Sequence, residues 1–296
     1  MQTVVISAAE RSLGRLSAAH LQQALEAMAQ DGIVCLGGAL DADHIEHLHA
    51  RMQADLDATQ ANRKINAWSS LRPPPFAPYL HRDIVYNELA IDVCLGWLGA
   101  QATLTTYGAN TSWPQEAEYQ NVHRDVVDAP VGDRSPAVVL NFPMMPFTLA
   151  SGATLIYPGS HRASVAAANG TRKYDATMLQ SRAAVRAPEL TTGIGPGDVV
   201  VRDLRLWHGG TPNSTDQRRI MLALVVIDAD YRGPDESAFK GFEAHSDASE
   251  FFSHPRLHTS VHFVTPEDES FYLHTHHSKP PTALKLEYDR RQGQGS

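Results

Sequence analysis

A chain of 296 residues, 43% hydrophobic and 20% charged, can bury a sizeable core, which sets aside a disordered or fibrous protein and makes one domain with helical decoration the expectation. The formal net charge of −8 argues against nucleic acid or an anionic membrane surface as partner, since both call for a basic surplus, and leaves a small molecule as the expected substrate. No stretch reaches the ~20 apolar residues of a membrane span and the first residues lack the apolar centre of a signal peptide, so the cytoplasm is the expected location.

Along the chain, Leu21, Leu25, Met28 and Ala29 recur at helical spacing, with Ser17 as cap and Asp31-Gly32 as stop. Ile33-Val34-Cys35-Leu36 reads as a short strand. Ile45, Leu48, Met52 and Leu56 mark a second helix, Pro73-Pro74-Pro75 a turn, and Tyr86 to Leu98 a third helix whose Leu89, Val93 and Trp97 pack inward. Residues 1–100 therefore read as helical support with edge strands. Cys35 and Cys94, each in apolar surroundings, read as reduced buried thiols.

From about Gln101 to Val226 there is no helical period. Ala137 to Phe142 and Ala153 to Tyr157 are strand-like, the latter closed by Pro158-Gly159-Ser160-His161. Gly195-Pro196-Gly197-Asp198 opens Val199-Val200-Val201, Leu204 to Trp207 delivers His208 at a strand end, and Arg219 opens the apolar run Ile220 to Val226. Several short strands joined by turns are predicted. Beyond Tyr231-Arg232-Gly233-Pro234 the pattern fades, and 231–296 reads as an extension in which Phe251, Phe252, Leu257 and Phe263 are candidates for a lid or a dimer contact. His274-Thr275-His276-His277 lacks a Cys or acidic partner at ligand spacing and reads as a tail.

Chemistry enters with His123-Arg124-Asp125 in a strand-like segment and with His208. Two imidazoles and one carboxylate can hold iron(II) on one face and leave the other open, and a guanidinium at Arg219 can clamp a dicarboxylate by a bidentate pair. The His-x-acid pattern alone is weak, because it also occurs at His44-Ile45-Glu46, His81-Arg82-Asp83 and His245-Ser246-Asp247. His44 and Glu46 fall on the solvated side of a helix, His81 and Asp83 precede a helix as capping residues, and His245 and Asp247 lie in a polar loop. His161 after its turn, and Trp207 beside His208, read as structural.

The series His123-x-Asp125, Ser151-Gly152-Ala153-Thr154 leading to Pro158-Gly159-Ser160-His161, Gly197-Asp198-Val199-Val200, Trp207-His208-Gly209-Gly210, Pro212-Asn213 and a closing Arg219 resembles the phytanoyl-CoA dioxygenase family, most of all its natural-product-tailoring branch. The resemblance implies a mainly β fold with flanking helices, built on a double-stranded β-helix of the jelly-roll or cupin kind over 101–230, within one dioxygenase domain spanning 1–296. It implies iron(II), 2-oxoglutarate and O2 as cofactors. Carried over residue by residue, it makes His123, Asp125 and His208 the catalytic metal ligands and Arg219 the anchor of the distal 2-oxoglutarate carboxylate, with Arg218 as competitor. Thr154 and Gln120 match positions near the co-substrate. Where the family commonly has Asn-Gly this chain has Ser151-Gly152, which keeps the glycine that the turn needs.

The implied reaction is hydroxylation, desaturation or rearrangement of a lipophilic small molecule, such as a terpenoid or alkaloid intermediate of secondary metabolism. An acyl-CoA 2-hydroxylase is the rival within the family, and a non-catalytic binding module or a zinc hydrolase on the same barrel are readings of another class. A halogenase of this type gives up its carboxylate ligand to chloride, and Asp125 is present. By analogy with related enzymes, a homodimer is expected.

Overall fold

In the computed structural model, which describes residues 1–58, 68–70, 77–126, 135–163, 174–231 and 241–264, the chain opens with strand β1 (Gln2–Val5) and helix α1 (Ala8–Leu13). Periodicity predicts neither. The signal for α1 is the Ser-x-x-Glu spacing: the Ser7 hydroxyl accepts from the Glu10 N–H while the Glu10 carboxylate accepts from the Ser7 N–H, a full capping box. Helix α2 (Ala18–Asp31) runs between Ser17, whose hydroxyl accepts from the His20 N–H, and Gly32 in the left-handed region at φ 76°, as its sequence dictates. Strand β2 (Ile33–Gly37), helix α3 (Ala42–Ala58), strand β3 (Trp68–Ser70) and helices α4 (Arg82–Val85) and α5 (Glu88–Leu98) follow. Asn87 starts α5, its side chain accepting from the Ala90 N–H. The Pro73–Pro75 turn lies outside the described residues.

The remaining elements are β4 (Thr103–Ser112), β5 (Ala137–Pro143), β6 (Thr154–Ile156), α6 (Ala176–Val185), β7 (Glu189–Leu190), β8 (Val199–Asp203), β9 (His208–Gly210), β10 (Arg219–Ile227), β11 (Phe242–His245), β12 (His258–Thr259) and β13 (Val261–Val264). The large sheet has eight strands along the path β1-β2-β8-β5-β10-β4-β12, with β3 also on β4. A second wall runs β7-β6-β9. Residues 120–123 continue it beyond β9: the Gln120 N–H donates to the Gly210 carbonyl at 2.9 Å, and His123 and His208 exchange both backbone bonds at 2.9 Å. From β4 to β10 the chain thus passes back and forth between two facing walls, with β6 and β7 paired antiparallel in the second, which is the double-stranded β-helix topology.

Strand β10 tells the two faces of the large sheet apart. Ile220, Leu222, Leu224 and Val226 are each 0% exposed and share one core with Ala24 and Met28 of α2 and Leu89 and Val93 of α5. Burying side chains of this size stabilises by roughly 1.5–3 kcal/mol apiece, which explains why the helices stay on that face. The alternate residues Arg219, Met221, Ala223 and Val225 point into the barrel. Met221, Ala223 and Val225 are half-buried, so the interior is more open than the helix-covered side.

Several local expectations are corrected. Helix α6 lies where the periodicity predicts none. The Asp175 side chain accepts from the Met178 N–H and the run is rich in good helix formers, but none of its residues is fully buried, so it carries no apolar stripe to read. His123 sits in an isolated bridge to His208 rather than in a strand. Leu204–Trp207 is a turn, so that His208 begins β9 instead of ending a strand. The Leu206 N–H donates to the Asp203 carbonyl at 3.0 Å, and the buried Arg205 guanidinium pairs with the Asp203 carboxylate at 2.9 Å. His81 stands before α4 but makes no side-chain cap, and the Asp83 carboxylate instead lies 2.8 Å from His44 Nδ1. His245 ends strand β11, its Nδ1 accepting from the Asp247 N–H at 3.1 Å, where a loop was expected.

Of the apolar residues assigned to a lid or interface, Leu257 is 2% exposed within the main core, and Phe251 and Phe252 pack on Tyr86 and Phe242. Phe263 is 44% exposed. The C-terminal part up to residue 264 is therefore woven into the fold, with β12 extending the large sheet. His274, His276 and His277 lie outside the described residues. Cys35 and Cys94 are buried free thiols. Among the described residues no helix is long and apolar enough to cross a membrane.

Candidate metal centre

The backbone brings His123, Asp125 and His208 together before any side chain is considered. His123 and His208 are bonded to each other, and the Asp125 N–H donates to the Leu204 carbonyl at 2.9 Å in the turn that precedes His208. The two imidazoles sit with centroids 4.4 Å apart at 45°. His123 Nε2 is 3.6 Å from Asp125 Oδ1, and His208 Nε2 is 3.7 Å from Asp125 Oδ2. One ligand atom from each of the three lies within 4.8 Å of the others.

Each ring is held by its other nitrogen. His123 Nδ1 is 2.9 Å from the Asn121 carbonyl and His208 Nδ1 is 2.9 Å from the Leu206 carbonyl, partners that only accept. This assigns the proton to Nδ1 and leaves the Nε2 lone pair facing Asp125. Arg202 Nη1 lies 3.2 Å from His208 Nδ1, but two donors cannot bond to each other, so the carbonyl is the partner. Burial pushes the His208 pKa down to about 3 and keeps the imidazole neutral, the form that ligates a metal. Burial alone would raise the Asp125 carboxyl, but the positive charge around it, with the Arg202 guanidinium in direct contact, holds it below its ordinary value. Two imidazole nitrogens and one carboxylate that converge in this way fit iron(II) with positions left open.

Arg202 is the residue that the sequence reading passes over. It stands on β8 facing the barrel, is 7% exposed, and its Nη2 donates to Asp125 Oδ2 at 2.8 Å. A permanent cation there balances the carboxylate and fixes its rotation. The signal is visible in Val199-Val200-Val201-Arg202: a guanidinium at an inward position of an apolar strand must find an acid.

Arg219 is buried on the barrel side, its guanidinium carbon 4.9 Å from the Phe147 ring centroid, and burial lowers its pKa to about 10, which leaves it charged at neutral pH. Arg218 points the other way. It pairs with Asp57 at 2.9 Å, donates to Gln53 at 3.1 Å and lies 5.5 Å from the Trp113 ring centroid. Asn213, part of the motif after His208, is fully buried and fixes the turn that leads into β10: its Oδ1 accepts from the Thr215 N–H at 3.1 Å and its Nδ2 donates to the Gln217 carbonyl at 2.8 Å.

Thr154 and Gln120 flank the centre on the second wall. Thr154 pairs with Gly210 across β6 and β9 and is half-buried. Gln120 Oε1 accepts from the Gly210 N–H at 3.0 Å, so half of this amide joins 120–123 to β9. Gly152 has φ 80°, and a Cβ there would stand 2.8 Å from the Thr211 carbonyl oxygen, which makes the glycine necessary in the turn before β6.

Residues 28–221 match the family described as phytanoyl-CoA dioxygenase (PhyH). The iron/alpha-ketoglutarate-dependent dioxygenase ausO of Aspergillus calidoustus is 24% identical over 231 residues, 68% of this chain and 70% of that protein. The dioxygenase aneA of Aspergillus aculeatus is 26% identical over 244 residues, 73% of this chain and 76% of that protein. Among solved structures, AviO1 from Streptomyces viridochromogenes superposes with a TM-score of 0.54 at 20% identity, covering 74% of this chain and 99% of that one. The non-heme alpha ketoglutarate dependent carbocyclase SnoK from nogalamycin biosynthesis superposes with a TM-score of 0.55 at 17% identity, covering 75% of this chain and 89% of that one. At these identities the structural likeness speaks for the fold, and the match over residues 28–221 speaks for descent. The chain belongs to the phytanoyl-CoA dioxygenase family and is an iron(II)- and 2-oxoglutarate-dependent dioxygenase.

Proposed function

We propose that His123, Asp125 and His208 hold the iron(II), that Arg219 anchors the distal carboxylate of 2-oxoglutarate, and that the enzyme oxidises a lipophilic small molecule of secondary metabolism. The observation that carries the ligand assignment is the convergence of two Nε2 atoms and one carboxylate within 4.8 Å, each ring already oriented through its Nδ1. Bound iron(II), with 2-oxoglutarate and O2, supplies the oxidation chemistry. The residues of the chain do the rest. The Asn121 and Leu206 carbonyls keep both Nε2 lone pairs presented, and Arg202 keeps Asp125 ionised and turned to the centre. Arg219 supplies a buried cation for a carboxylate, worth more there than in water. The Thr154 hydroxyl and the Gln120 NH2, whose Oε1 partner is already taken, offer further contacts to the co-substrate.

Support for a lipophilic substrate comes from the inward face of β10, where the half-buried Met221, Ala223 and Val225 present apolar side chains to the barrel. The chain's net charge of −8 disfavours a CoA ester, the rival substrate, whose phosphates need a cationic seat. SnoK, by its description a carbocyclase, acts in nogalamycin biosynthesis, which favours tailoring by hydroxylation, desaturation or rearrangement here. We keep 1–296 as one dioxygenase domain, because β1 and β2 on one side and β12 on the other extend the same sheet. The reading of a cytoplasmic enzyme rests on the two reduced thiols, and that of a homodimer on the exposed Phe263 of β13.

Anaerobic titration of the metal-free protein with iron(II) and 2-oxoglutarate tests the core of the proposal. A weak visible charge-transfer band that needs both additions is expected of a keto acid chelated by iron on this ligand set. Folded protein that binds iron and gives no band would instead favour a hydrolytic metal site or a binding module.

A further inference from the structure

Two of the His-x-acid motifs that the catalytic reading leaves over meet in space, on the outer surface among the helices. His44 on α3 and His81 before α4 stack with ring centroids 4.5 Å apart at 26°, and His44 Nδ1 lies 2.8 Å from Asp83 Oδ1. One ligand atom from each lies within 4.8 Å of the others. We propose that His44, His81 and Asp83 form a second metal site, which takes zinc(II) or a similar borderline divalent ion and staples α3 to α4.

The donor geometry carries the inference. His81 occupies the cap position of α4 without capping it, so its ring has no local task in the helix. The proton shared by His44 and Asp83 satisfies those two and leaves the neighbouring His81 imidazole with stacking alone. A divalent ion takes the place of that proton, which moves to His44 Nε2 by tautomerism, and accepts the His81 lone pair as well, so all three groups gain. Zn–N distances of about 2.0–2.1 Å require the donors to close in slightly, an inexpensive change for His44, which is exposed. Imidazole and carboxylate without a thiolate select zinc, nickel or copper over magnesium or calcium. The site stands apart from the oxygenase reading and survives its failure.

Zinc binding to the metal-free full chain, measured by equilibrium dialysis at neutral pH, tests it. The wild type is expected to hold about two equivalents, and His81→Ala or Asp83→Asn about one, with circular dichroism confirming the fold. The triple variant His274→Ala/His276→Ala/His277→Ala is expected to bind as the wild type does. In a His123→Ala background the remaining equivalent should vanish on adding His81→Ala. In the His123→Ala background zinc should also raise Tm, and should cease to do so once His81→Ala is added, since an ion that binds only the folded chain stabilises it. Unchanged stoichiometry in both His81→Ala and Asp83→Asn, or loss of the second equivalent in the triple tail variant, overturns the proposal.

Discussion

The barrel centre and the helical surface each carry two histidines and one aspartate, and the two sets are built in opposite ways. In the barrel, His123 and His208 are joined through their backbones, each Nδ1 is fixed by a carbonyl, and Asp125 is held by Arg202. On the surface, His44, His81 and Asp83 touch only through their side chains, and His44 is exposed. The first set has its orientation imposed as the barrel folds, whereas the second must order itself when an ion arrives. Preorganisation of this kind is what the proposed catalytic set has and the proposed surface set of the same composition lacks. The His-x-acid spacing cannot make that distinction, because the supporting carbonyls and Arg202 come from elsewhere in the chain.

The difference can be broken at several points. Replacing a barrel ligand has the largest expected effect: His123→Ala or His208→Ala should reduce turnover to background while circular dichroism stays that of the wild type, because neither side chain belongs to the core under the helices. Turnover surviving either change would move the chemistry elsewhere. Arg219→Ala should raise the KM for 2-oxoglutarate by about a hundredfold or more, the scale of losing one member of a buried charge pair. Arg218→Ala, on the opposite face and already paired with Asp57, should leave that KM nearly unchanged. A reversed ranking would transfer the anchor to Arg218. Arg202→Met keeps most of the volume while freeing Asp125, and should weaken iron(II) binding by about ten- to a hundredfold. Equal iron affinity in dialysis would mean that the turn at Leu204 orients the carboxylate unaided.

Much of this architecture can be read from the chain because local rules coincide with the global fold. Ser17 and Gly32 bound α2, an unbroken apolar run marks β10, and one-sided inward projection separates Arg219 from Arg218. Where the rules are silent, the structure departs from expectation. Helix α6 has no fully buried residue and hence no stripe, and His123 gains its position from a single bridge that no period encodes. The Leu204–Trp207 turn looks like a strand because Leu204, Leu206 and Trp207 are buried, yet the Arg205–Asp203 pair closes it. The three proposed iron ligands stand out through their residue types and order, but Arg202 needs the third dimension, since its partner Asp125 lies in another element.

The smallest expected effect sharpens the contrast from the surface side. The His44–Asp83 pair has side chains 56% and 38% exposed, so water screens it and two mobile side chains lose freedom to form it. In metal-free protein, Asp83→Asn should therefore change the unfolding free energy by no more than about 0.5 kcal/mol, as read from urea denaturation with a chelator present. Addition of zinc should then separate wild type from variant, since only the wild type keeps all three donors. A loss well above 1 kcal/mol without metal, on the order expected for a buried hydrogen-bonded pair, would show that this cluster is already fixed as the barrel set is, and that its order does not wait for an ion.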